Sequence, residues 1–137
     1  MISEARLTSY GTLTLRLALG AMYLAHSLIL KWLTFGLTGT AGYFTHIGLP
    51  GWLAYATFAA EAVGGALLIL GLWTRWVALT LMLPLAGAIV WAHGANGWVF
   101  TAPGGGWEYP AFLLAASAAL ALLGDGALSA RRPAVAS

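Results

Sequence analysis

The stretch "ATFAAEAVGGALLIL", residues 56–70, decides how this chain is read. Between Trp52 and Trp73 the only charged residue is Glu61, and everything around it is apolar or small. A run of about 20 such residues is long enough to cross a ~30 Å hydrocarbon core. A carboxylate inside such a run must face the protein interior, and it is a functional candidate by default.

The rest of the chain agrees with this reading. Of 137 residues, 61% are hydrophobic and 7% charged, and mean hydropathy is +0.85, whereas soluble domains carry about 25% charged residues. The charges leave four apolar runs at 11–33, 52–72, 76–95 and 107–124. Alternating segments of ~10 residues, the mark of a transmembrane β-barrel, are missing. The expected fold is therefore all-α: a polytopic membrane protein, an antiparallel four-helix transmembrane bundle in a single domain over 1–130, with a short basic cytoplasmic tail at 131–137. The first run is too long for the core of a cleavable signal peptide and is expected to act as the insertion signal.

Cysteine is absent, which excludes disulfide relays and thiolate metal sites. The six basic residues form no nucleic-acid patch. They report orientation instead. If the helices alternate, Arg6, Arg16, Arg75, Arg131 and Arg132 share one side and Lys31 stands alone on the other, so both termini are expected in the cytoplasm. The connection "LWTRW" (72–76) is then a tight inner turn, and the two longer connections face outward. The first, "AGYFTHIGLP" (41–50), predicts a short interfacial helix stopped by Gly48 and Pro50. The second, "GANGWVFTAPGGGWEYP" (94–110), predicts an irregular loop at headgroup depth. Trp32, Trp52, Trp91, Trp98, Trp107 and Tyr109 make an outer aromatic belt, and Tyr10, Trp73 and Trp76 an inner one. Ala60, Gly64, Gly65 and Gly71 give the second helix a strip on which another helix can approach closely.

Counting inward at ~1.5 Å per residue puts Glu61 about 13 Å below Trp52 and His26 about 10 Å below Leu33. The titratable residue expected to face Glu61 from another helix is thus His26. His93 and Glu108 fall within about 3 Å of the outer helix ends and form a shallower layer. Unpaired and ionised, Glu61 would cost several kcal/mol, so it is either protonated or held by a donor. A Glu–His hydrogen bond that merely fixes helix register is the plain alternative. A shared metal site is disfavoured because His93 stands about 10 Å above Glu61, leaving His93 and Glu108 as weak metal candidates. Arg16 is expected to snorkel toward headgroups or to pair with Asp125.

Four stretches, in order, carry a resemblance to a known family: "RLALGAMYLAHSLILKW" (16–32), "YFTHIGLP" (43–50), "EAVGGALLILGLWTR" (61–75) and "GGGWEYPAFLLAASAALALLGDGALS" (104–129). On these, most of the chain resembles the DoxX family of membrane proteins. In that family a lysine commonly follows the helix 1 histidine by four residues, and the histidine precedes glycine. Here Ser27 follows His26 and Lys31 comes five residues on. The resemblance matches Glu61, Gly64, Gly65, Arg75, His93, Trp107 and Glu108. It implies a four-helix inner-membrane protein whose relatives include small subunits of quinone-coupled sulfur oxidation and others linked to oxidative stress.

The reading that follows is a small subunit of a redox or oxidative-stress system, accessory to a quinone-linked oxidoreductase rather than necessarily catalytic itself. An outer-facing intramembrane pocket would hold a quinone-like or other small ligand, contacted by Glu61, His26, Trp107 and Glu108. His93 would join Glu61, His26 and Glu108 as a polar or proton-carrying group. Two other classes compete with it. One is a proton or small-solute path, which a narrow four-helix chain would need a homo-oligomer to complete. The other is a non-catalytic scaffold for a partner redox enzyme.

Overall fold

The computed structural model describes residues 2–131; the expected basic tail, Arg131 apart, lies outside the described residues, as does Arg132. Among the described residues there are helices and no strand. Three helices are long and apolar enough to cross a membrane: α1 (Glu4–Thr34), α3 (Trp52–Leu70) and α4 (Thr74–Asn96). Between α1 and α3 lies a short helix, α2 (Leu37–His46). The last helix, α5 (Glu108–Leu123), is apolar but has 16 residues, about 24 Å of rise.

α1 begins seven positions before the apolar run does. Ser3 caps it, its hydroxyl accepting from the Arg6 N–H, and Glu4 sits in the favourable first turn. Hydropathy marks only the apolar part of a helix, so this polar turn was invisible to it. At its other end α1 widens to i→i+5 hydrogen bonding over Ala25–Thr34. Ser27 donates back to the carbonyls of Tyr23 (3.0 Å) and Leu24 (3.1 Å) at the start of this stretch, a bond that competes with regular helix pairing. α4 widens likewise over Ala88–His93, just after Pro84, which has no N–H to give to the Thr80 carbonyl.

The long contacts run α1 to α3, α3 to α4 and α4 to α5, and α5 returns to α1. The core they enclose is Leu19, Tyr23, Leu68, Ala78, Leu81, Leu85, Leu120 and Ala121. α1 and α3 meet backbone to backbone where glycine allows it: a Cβ on Gly65 would stand 2.9 Å from the Gly20 carbonyl oxygen. Inside the core the Tyr23 hydroxyl and Ser117 Oγ are 2.8 Å apart, so this buried polar bridge between α1 and α5 is satisfied.

The two ends of the molecule are built differently. At one end the α3–α4 turn passes through Gly71 in the left-handed region (φ 72°), and the segment after α5 folds back across it. Ala127 N donates to the Ser9 carbonyl (3.0 Å) and Ala130 N to that of Leu70 (2.8 Å). At the other end the second long connection closes on itself, Trp107 N donating to Gly97 O and Glu108 N to Trp98 O, both 3.1 Å.

Candidate functional site

Lys31 Nζ donates to Glu61 Oε2 at 2.6 Å, and both side chains are largely shielded, at 16% and 9% exposure. Glu61's expected partner, His26, does not make this bond. Two features of α1 put Lys31 there. Its long stem reaches down from a position near the helix end, which counting along Cα atoms ignores. The wide turn also stacks residues five apart one turn above each other, so the five-residue spacing of His26 and Lys31 keeps them on one face. Thr40 of α2 fixes the backbone above, its hydroxyl donating to the Lys31 carbonyl at 3.1 Å.

The pair stands in the wall of a cavity of about 620 Å³ enclosed by the wide end of α1 and by α2, α3 and α4. Its other walls are almost wholly apolar, with Phe44, Leu53, Ala60, Pro84 and Trp91 among them. Apolar surface with a few convergent polar groups is the usual make-up of a small-molecule site. Lys31 offers donors and Glu61 acceptors, so together they can hydrogen-bond an oxygen-bearing group while balancing each other's charge. Each loses water on burial, and only their contact offsets that cost.

The other candidates lie elsewhere. Neither His26, Trp107 nor Glu108 is among the residues lining this cavity. His26 Nδ1 is 2.8 Å from the Met22 carbonyl. A carbonyl only accepts, so Nδ1 carries a proton, and Nε2 faces the Tyr109 hydroxyl at 3.2 Å. The two rings are nearly parallel, and His93 meets Tyr109 edge-on at 5.7 Å. His93 itself donates from Nδ1 to the Gly105 carbonyl at 2.9 Å.

Glu108 and Trp107 hold the second connection together. A Glu108 carboxylate oxygen accepts from Phe100 N at 2.9 Å, and Trp107 packs edge to face on Trp98 at 4.5 Å. Among the described residues no three of His, Cys, Asp and Glu are grouped so as to hold a metal ion.

Arg16 meets one of its two expectations, the contact with Asp125, through that residue's backbone carbonyl rather than its carboxylate. It does not snorkel but is fully buried, its guanidinium donating to the carbonyls of Asp125 and Leu128 (3.3 Å to the latter). The Asp125 carboxylate is turned to Thr74 N at 3.2 Å, capping α4, and Arg75 donates to the Ala121 carbonyl at the end of α5 (2.9 Å). Sequence reading also passed over Lys31 as a site residue and took Tyr109 for a belt anchor. The displaced lysine of helix 1 was the signal for the first; no periodicity marks the second.

No solved structure was found to match the chain. A protein of Bacillus subtilis (strain 168), "Putative oxidoreductase CatD", is 42% identical over 80 residues, a stretch that makes up 58% of this chain and 58% of that protein. The chain thus spans well under two thirds of that relative's length. The DoxX family model matches residues 11–94, which take in Lys31, Glu61 and every other residue that lines the cavity, and on that match the chain belongs to the DoxX family.

Proposed function

We propose that this chain is a small inner-membrane subunit of a redox or oxidative-stress system, and that the cavity beside Lys31 and Glu61 holds a quinone-like or other small, mostly apolar ligand. In this reading α5 completes a four-helix transmembrane bundle, α2 lies at the outer interface, and both termini are cytoplasmic. The observation that carries it is one buried ion pair set in an otherwise uncharged, mostly apolar cavity wall. Nothing in packing alone requires such a pair, since an apolar pair of similar volume would often be as stable. The oxidoreductase in the name of the Bacillus subtilis relative is the reason to look for redox chemistry.

The residues of this chain would bind and orient, with Lys31 donating to a ligand oxygen and Glu61 accepting from a hydroxyl. Electrons would come from a partner protein, which makes the chain an accessory subunit. A continuous permeation path is less well supported, because the end opposite the cavity is closed by Arg16 and the 125–128 backbone. The test is a fluorescence titration. Trp91 lines the cavity, so an uncharged short-chain benzoquinone should quench tryptophan emission saturably, with a loss of that signal in Trp91→Phe. Linear, non-saturating quenching equal in both proteins would count against the reading.

A further inference from the structure

Resting on that reading, we propose that the cavity is filled sideways from the bilayer, between α2 and α4, and that it accepts only uncharged molecules. Two independent features lead there. The first is where the cavity opens. Leu83 lines it and is 72% exposed, as are Phe35 at 64% and Trp91 at 49%. Leu83 lies nine residues into α4 from Thr74, about 13 Å along the helix axis. That is deep within a helix long enough to cross a membrane, so an opening at Leu83 faces lipid and not water.

The second feature is charge. Lys31 and Glu61 neutralise each other at 2.6 Å inside the wall, and the remaining lining residues carry no formal charge. A ligand with a net charge would therefore bring an unbalanced charge into a low-dielectric site, which is strongly disfavoured. A ligand with a neutral oxygen-bearing head meets a donor and an acceptor side by side. The occupant is thus a lipid-phase molecule with an uncharged polar end and an apolar body, and anionic phospholipid headgroups and free carboxylates are excluded.

Gly87 gives a way to close the opening without disturbing the fold. It lines the cavity, and a Cβ built on it meets nothing within 4 Å. The experiment uses the full chain in lipid nanodiscs, with an uncharged benzoquinone and its ring-sulfonated analogue as probes and saturable tryptophan quenching as readout. Wild type should bind the uncharged probe at least tenfold more tightly than the sulfonated one, and Gly87→Phe should slow association of the uncharged probe at least tenfold. The same comparison is made in detergent micelles, with each affinity referred to the probe concentration measured in protein-free micelles so that differences in partitioning cancel, and the preference should persist there. Equal affinity for both probes in micelles would overturn the charge rule. Unchanged association in Gly87→Phe would overturn the sideways route. No saturable quenching by either probe would remove the functional reading itself, and this inference with it.

Discussion

Lys31 and Glu61, 30 residues apart in the chain, meet at 2.6 Å on the wall of an apolar cavity. The bond links the wide end of α1 to the middle of α3 and answers why a carboxylate can sit in an otherwise uncharged run: a lysine from the neighbouring helix reaches it.

Removing one member leaves the other charged and without a partner. Lys31→Met and Glu61→Gln should each destabilise the protein by about 3–5 kcal/mol. The double variant should lose far less than the two single losses added together, because no lone charge is left. Denaturation of all four proteins in the same detergent gives the coupling; additive losses would show that the pair does not act as a pair.

His26 should be found in one tautomer. With Nδ1–H bound to the Met22 carbonyl and Nε2 facing Tyr109, nitrogen NMR of the neutral imidazole should show a protonated Nδ1 and an accepting Nε2. Tyr109→Phe should shift the Nε2 resonance and cost about 1–3 kcal/mol, since it strands a half-buried acceptor. An unshifted resonance would mean that the phenol and the imidazole are not hydrogen-bonded.

Much of this architecture is legible in the residue pattern, and the losses have definite physical causes. Apolar runs near 20 residues long announce α1, α3 and α4 because bilayer thickness fixes that length. Glu61 stands out because no other charge shares its run. Lys31 escapes the same count, since the count follows Cα positions while a lysine stem and a wide turn bring its ammonium group within reach of Glu61. Arg16 is expected from the sequence either to snorkel or to pair with Asp125, and what escapes is the kind of acceptor it meets. Its partners are backbone carbonyls of Asp125 and Leu128, and a carbonyl has no sequence signature. Tyr109 looks like any interfacial aromatic until the fold brings His26 beside it.

Arg16 ties down the segment that follows α5. Arg16→Met should release the carbonyls of Asp125 and Leu128, and with them the amides of Ala127 and Ala130 that bond to Ser9 and Leu70. Hydrogen exchange at those two amides should accelerate about ten- to a hundredfold, corresponding to the loss of about 1.5–3 kcal/mol for bonds to a charged group. Exchange in the core of α3 should change less. Equal acceleration throughout would indicate global unfolding rather than release of this strap.

Two glycines should respond in opposite ways to alanine. Gly65→Ala places a methyl group 2.9 Å from the Gly20 carbonyl oxygen, so α1 and α3 must move apart at a cost of about 1–3 kcal/mol. Gly87→Ala meets open space and should be neutral or stabilising by up to about 1 kcal/mol, as alanine favours the helix. Thermal denaturation of the two variants beside wild type separates the cases, and equal effects would deny the close approach at Gly65.

The central claim is that the cavity beside Lys31 and Glu61 is a binding site, and mass spectrometry of small molecules that co-purify with the detergent-solubilised protein tests it most directly. Wild type should carry a stoichiometric, uncharged, mostly apolar molecule with an oxygen-bearing end, and Glu61→Gln should lose it while Leu122→Ala, on the exposed face of α5 outside the cavity lining, retains it. A wild-type protein with no such molecule, or a molecule retained equally by Glu61→Gln, would contradict the claim and leave the ion pair as a packing contact between α1 and α3.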